Sequence, residues 1–203
     1  MIADVESSGL DAERDRLLAI AAVAVHFDED FRHPRIALGD TFEIFVQQTE
    51  PHTKRADKAN ILIHGIGVGA QRSGRPPQQA FHAWARFVAD APLVAYHSAF
   101  DQTLIDRASR SVLGHTLPHH WLDLEAVAAV VHQDPRQRHL DHWLKRRGIQ
   151  CLHRHQAAAD ALATAELLLS LWPLVRARVD GRFPSVADWA ESHRFIPGRL
   201  GSR

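Results

Sequence analysis

Asp4 and Glu6 stand two residues apart at the start of the chain, in the stretch Asp4-Val5-Glu6-Ser7-Ser8-Gly9-Leu10. On a β-strand alternate side chains share a face, so a strand over Met1 to Glu6 would set both carboxylates side by side. Two acidic groups held that way repel unless a cation lies between them, and hard carboxylate oxygens suit Mg²⁺ or Mn²⁺. An Asp-x-Glu triplet arises by composition alone about once in a chain this long, and a solvated turn would explain it as well. A metal site therefore needs further ligands downstream, and three residues qualify. Asp101 directly follows Val94-Ala95-Tyr96-His97-Ser98-Ala99-Phe100, at the junction of a strand and a helix, where a helix N-cap is the competing role. His155 and Asp160, five apart, straddle the entry to an alanine-rich helix. An unpaired carboxylate buried on such a helix is costly, and ligation would resolve the cost.

Bringing these residues together requires a sheet and the helices that cross it. Small residues Ser7, Ser8 and Gly9 make a tight exit from the first strand, and Leu17 to Val25 is a buried second strand. Asp40 to Val46 alternates polar and apolar as a third, so the chain opens antiparallel. Gln47 to Gln79 reads as irregular, marked by Pro51, Gly65 to Gly69 and Pro76-Pro77. Phe81, Trp84, Phe87 and Val88 recur at helical spacing, and Leu93 to Tyr96 is a short buried strand. A helix with the stripe Leu104, Ile105, Ala108 and Val112 follows. Trp121-Leu122 makes the last strand, with Asp123 capping a helix over Leu124 to Val131. Further helices are expected from Leu140 to Arg147, stopped by Gly148, and from about Gln156 to Val175 with Leu162, Ala165, Leu169 and Trp172 inward. Residues 1–180 form the main domain and 181–203 a loosely held tail with one short helix near Trp189. The order of elements is that of an α/β fold with a mixed sheet.

The chain has 203 residues, of which 45% are apolar and 24% charged, enough for one domain with its own core. One cysteine, Cys151, excludes a disulfide framework and any multi-cysteine zinc site, and is consistent with a cytoplasmic protein. No secretory signal is visible and the longest apolar run is expected to fall short of a membrane span. The formal net charge is zero, so any nucleic-acid contact should be local rather than a coat of positive charge. His115, His119 and His120 cluster, yet without acidic or thiolate partners nearby they read against zinc.

In order and spacing, Asp4-x-Glu6-Ser-Ser-Gly-Leu, Asp101 after a strand, and His155-x-Ala157-x-x-Asp160-Ala161 resemble the DEDDh 3′ to 5′ exonucleases, typified by the proofreading subunit of bacterial DNA polymerase III. The resemblance covers residues 1 to 176 and includes His64-Gly65-Ile66, which looks like the family's stretch beside the terminal nucleotide. It implies an RNase H-like fold with a central mixed five-stranded sheet flanked by helices, and hydrolysis that uses two Mg²⁺ or Mn²⁺ ions. Carried over, Asp4, Glu6, Asp101 and Asp160 are the metal ligands and His155 the general base, while Ser7, Ser8, Gly9, Leu10, His64 and Phe100 line the substrate. The products would be nucleoside 5′-monophosphates.

The resemblance also implies a single-stranded 3′ end as partner, with DNA favoured, and a possible polymerase subunit beside it. Serines replace the family's usual threonines at Ser7 and Ser8. Tyr96-His97 stands where the family often reads His-Asn, so His97 is not the base. Met1 lies three residues before Asp4, and the first strand is expected to be shorter than the family's. Two rival readings share these residues: an exoribonuclease or oligoribonuclease, and a non-catalytic module that binds nucleic acid or a polymerase.

Overall fold

A computed structural model describes residues 1–49 and 55–198. The chain opens with three strands, β1 (Ile2–Ser7), β2 (Leu17–His26) and β3 (Arg35–Phe45), and continues through helices α1 (Arg55–His64), α2 (Val68–Ser73) and α3 (Pro77–Val88). Strand β4 (Leu93–Ala95), helix α4 (Ser98–Leu113), strand β5 (Trp121–Asp123) and helices α5 (Leu124–His132), α6 (Leu140–Arg147), α7 (Ala157–Arg176) and α8 (Phe183–Glu191) complete it. The strands form one sheet in the order β3-β2-β1-β4-β5. β1 runs antiparallel to β2 and parallel to β4, and β4 runs parallel to β5, so the sheet is mixed and β1 is central.

The alternation along β1 decides where the acidic pair points. Ile2 packs with Val23, Val94 and Leu122 into a core shared with α5, α6, α7 and α8. Ala3 and Val5 belong to the opposite core, with Ile20, Ala22 and Leu93 against Phe81 and Trp84 of α3 and Leu104 and Ile105 of α4. Asp4 and Glu6 share the parity of Ile2 and so face α7. Both cores are filled by fully buried large side chains, Trp84 and Phe81 on one face, Trp143 and Leu171 on the other. Each such side chain stabilises the fold by roughly 1.5–3 kcal/mol of transfer free energy before entropy is counted.

Several boundaries differ from expectation. β3 begins at Arg35 rather than Asp40 because its pairing to β2 skips from Thr41 to Ala37, leaving Leu38-Gly39-Asp40 as a bulge that breaks the alternation. The stretch expected to be irregular contains α1 and α2; Pro51 within it lies outside the described residues. α1 ends Ile61-Leu62-Ile63-His64 with Leu62 and Ile63 exposed, so no apolar stripe announces it. Pro77 opens α3 at its first turn, where the missing N–H costs nothing. On α7 the inward face is Ala161, Ala165, Leu168 and Trp172, while Leu162 and Leu169 are half-buried. The small alanines let α7 lie across β1 and β2.

By length and composition alone α7 is long and apolar enough to cross a membrane. Its buried face packs on the sheet as a core helix does. Residues 183–196 are held more closely than a loose tail, since Val186, Ala190 and Ile196 are buried.

Candidate active site

Asp4, Glu6 and Asp160 each place a carboxylate oxygen within 4.8 Å of the other two. Two come from the centre of the sheet and the third from the first turn of α7, so rigid elements fix the group. Asp101, only 5% exposed in the first turn of α4, stands outside that trio. Its charge is second only to burial in raising Asp4, which places it beside the trio through Asp4.

The electrostatics are those of a site short of positive charge. Burial, then the carboxylates of Asp101, Asp160 and Glu6, push Asp4 well above the usual carboxylate range, with Arg154 opposing them. Burial and Asp160 push Glu6 up to about 8, again against Arg154. Burial raises Asp101 too; its own amide N–H and that of Val5 hold it down, while Asp123 and Glu6 push it further up. Carboxylates that resist ionisation together are the donor set for a hard divalent cation, which would relieve the repulsion that lifts them. The residues present fit Mg²⁺ or Mn²⁺.

His155 lies on the loop before α7 with a left-handed backbone, φ 63°, and its ring is exposed. Its amide N–H donates to Asp160 Oδ2 at 2.9 Å, which ties the histidine to the carboxylate cluster. Arg154, the preceding residue, reaches Asp160 Oδ1 through Nη1 and Asp141 Oδ1 through Nε, the latter at 2.6 Å. Cys151 Sγ lies 3.4 Å from the same Asp160 Oδ1. Arg154 is thus the cation already seated on the cluster.

The residues expected on the substrate side fall into two groups. The Ser7 hydroxyl donates to the Gly9 carbonyl at 2.5 Å, and the Ser8 hydroxyl bridges Asp15 Oδ1 and the Arg16 amide at 3.0 and 2.9 Å. Both hydroxyls thus shape the turn, and Gly9 fits because a Cβ there would meet the Asp15 carboxylate at 2.4–2.8 Å. Asn60 of α1 donates to the Ser8 carbonyl and fastens that helix over the turn. Leu10 is 93% exposed at its tip. Phe100 is half-buried and packs in part into the core beneath α4.

His64 is buried. Its Nδ1 accepts the Ile66 amide N–H at 3.0 Å, which leaves the proton of the neutral ring on Nε2, and Nε2 has no partner among the described residues. Burial, and then His155, lower its pKa. His64, Glu6, Phe45, Gln156 and Ala157 line a cavity of about 190 Å³ beside the carboxylates.

Three further acidic residues near the site were not assigned to it from the sequence. Asp141 opens α6 and meets Arg154 from a different element. Asp123 does cap α5 through the Glu125 amide, but the same Oδ1 also accepts the His97 N–H, both at 2.9 Å, at the end of β5 beside Asp101. Glu125 is 2% exposed and accepts the Arg138 amide. A buried acid on an otherwise apolar helix was the signal available for it. In the second histidine cluster His115 and His119 turn to the carbonyls of Leu113 and Ala91.

A family model described as Exonuclease, RNase_T, matches residues 1–168. The chain is 28% identical over 203 residues to a DNA polymerase III subunit epsilon-like protein of Rhodobacter capsulatus, covering 98% of this chain and 27% of that protein. It is 27% identical over 171 residues to a PolC-type DNA polymerase III of Caldanaerobacter subterraneus, covering 84% of this chain and 11% of that one. The chain therefore spans only a small part of the length of these curated relatives. Among solved structures, E. coli Exonuclease I in complex with a dA16 oligonucleotide shares the fold with a TM-score of 0.68 at 19% identity, over 95% of this chain and 43% of that one. Exonuclease X in complex with 5′ overhanging duplex DNA does so with a TM-score of 0.64 at 18% identity, over 93% and 98%. With that family model matched over residues 1–168, the chain belongs to the RNase_T exonuclease family.

Proposed function

We propose that the protein removes nucleotides one at a time from the 3′ end of single-stranded DNA, releasing nucleoside 5′-monophosphates. The observation that carries this reading is the convergence of Asp4, Glu6 and Asp160 within 4.8 Å, with His155 tied to the third of them. These three carboxylates, with Asp101 beside Asp4, would hold two Mg²⁺ or Mn²⁺ ions. When bound, such ions lower the pKa of water and stabilise charge on the departing 3′ oxygen.

The chain's own residues have separate tasks. His155, exposed on the loop before α7, takes the proton from the attacking water, a task suited to an imidazole. Its left-handed backbone and the hydrogen bond from its amide N–H to Asp160 fix where the ring can reach. Leu10, projecting from the turn after β1, offers an apolar edge to a nucleobase. His64 lines the cavity beside Glu6, where the terminal nucleotide would lie.

DNA is favoured over RNA because the relatives are named for DNA polymerase III and the fold neighbours were solved with DNA. The same likeness supports a proofreading role beside a polymerase in the cytoplasm. Zero net charge is compatible with a cleft that grips only a few nucleotides. The test is a comparison of 5′-labelled DNA and RNA oligonucleotides of one sequence, single-stranded and in duplex. Single-stranded DNA should be shortened fastest. Faster shortening of RNA would replace this reading with an exoribonuclease.

A further inference from the structure

We propose that Arg154 is a built-in counter-ion of the metal site, which a divalent cation must displace from Asp160 and which Asp141 then retains. The inference rests on the metal-site reading above and concerns how that site is loaded. Both oxygens of Asp160 are already engaged: Oδ1 by the Arg154 guanidinium and Oδ2 by the His155 amide. Asp160 is also one of the three carboxylates that would share the ion. A guanidinium on that oxygen and a divalent cation among the same three carboxylates would stand within a few ångströms of each other, where like charges repel strongly in a partly buried cleft.

The second arm of Arg154 makes displacement feasible. Its Nε pairs with Asp141 at the N-terminal turn of α6, on the outer side, where Asp141 is 65% exposed while Asp160 is 7% exposed. Arg154 can therefore release the inner carboxylate and keep the outer one without being left unpaired. A planar guanidinium with several donors can bridge two carboxylates in this way, whereas a lysine ammonium of shorter reach would be confined to one. Before loading, Arg154 offsets part of the repulsion among Asp4, Glu6 and Asp160, since its charge opposes the shifts on both Asp4 and Glu6. The site is thus held together without metal, at the expense of affinity for it, because only the fraction of molecules with Asp160 free can bind.

Two substitutions should move metal affinity in opposite directions. Arg154→Met removes the competitor and keeps much of the side chain's bulk, so Mn²⁺ should bind about tenfold more tightly. Asp141→Asn removes the outer partner and leaves Arg154 on Asp160, so Mn²⁺ should bind more weakly. A merely structural role for the Arg154 bridge would weaken binding in both variants.

The experiment is Mn²⁺ titration of the full chain, read from the disappearance of the free-ion electron paramagnetic resonance signal, with circular dichroism confirming the fold of each variant. Tighter binding by Arg154→Met together with weaker binding by Asp141→Asn is the expected result. Unchanged or weaker binding by Arg154→Met would overturn the proposal while leaving the metal site intact. If that variant does not fold, Asp141→Asn decides alone, and unchanged or tighter binding by it would overturn the proposal. A wild-type protein that binds no Mn²⁺ would overturn the metal-site reading itself.

Discussion

Replacing Glu6 by glutamine turns the electrostatics of the site into a stability measurement. Glu6 is pushed from 4.5 to about 8 in the folded protein by burial and by Asp160. Between those two values the folded state binds more protons than the unfolded chain, so the metal-free protein loses stability as pH rises through this window. At about 1.36 kcal/mol per pKa unit the shift has an upper bound on the order of 5 kcal/mol, and solvent screening in an open cleft reduces it to about 2 kcal/mol. Glutamine keeps the shape and never ionises. Glu6→Gln should therefore melt close to wild type at pH 4.5 and above it at pH 9, by about 4–8 °C for a chain of this size.

Divalent cations should reverse that order. An ion present at about 100 times its dissociation constant adds about 2.7 kcal/mol to the wild type. The variant, lacking one anionic ligand, gains less. The assay is thermal melting by circular dichroism across pH 4.5 to 9, with a chelator and then with Mg²⁺. Parallel pH curves for the two proteins without metal would refute the claim that Glu6 is held protonated by its surroundings.

Two further outcomes follow from the geometry. His155→Ala should lower kcat by about 10²–10⁴-fold, while leaving the melting temperature near wild type because the residue is exposed. Gly74→Ala should destabilise the fold by about 1–3 kcal/mol in denaturant unfolding, because the added Cβ would meet the backbone of Phe45, Val46 and Gln47 at 2.8–2.9 Å and backbone cannot turn aside as a side chain can.

How far the sequence could be read depended on whether a feature was local. α6 runs from Leu140 to Arg147 and stops at Gly148 as expected, because an αL glycine after a short amphipathic run is a local signal. The five strands were legible for the same reason, through apolar runs bounded by turn residues. α1 was not, since its stability comes from contacts such as Asn60 with the Ser8 carbonyl rather than from an apolar stripe. On α7 the expected Ala165 and Trp172 do face inward, but Leu162 and Leu169 are half-buried and their places are taken by Ala161 and Leu168, because small residues suit the close approach to the sheet.

At the site, the spacing of Asp4, Glu6 and Asp160 was readable once a strand and a helix were assumed. The bridge from Asp160 through Arg154 to Asp141 was not, because no periodicity relates a loop arginine to a carboxylate thirteen residues earlier on another helix. The hydroxyls of Ser7 and Ser8 carry a similar lesson. The family resemblance implied substrate contact for them, while the hydrogen bonds that place them lie within the turn and could not be read from the sequence.

Metal-dependent shortening of a strand from its 3′ end is the activity expected of the carboxylate cluster. The direct measurement is digestion of a 5′-labelled single-stranded DNA oligonucleotide with Mg²⁺ or Mn²⁺, set beside a chelator control and Asp4→Ala. A ladder of progressively shorter labelled products, absent with the chelator and reduced at least about 10²-fold by Asp4→Ala, is the predicted result. An uncut oligonucleotide in the presence of folded protein and metal, or a ladder that Asp4→Ala leaves unchanged, would contradict it.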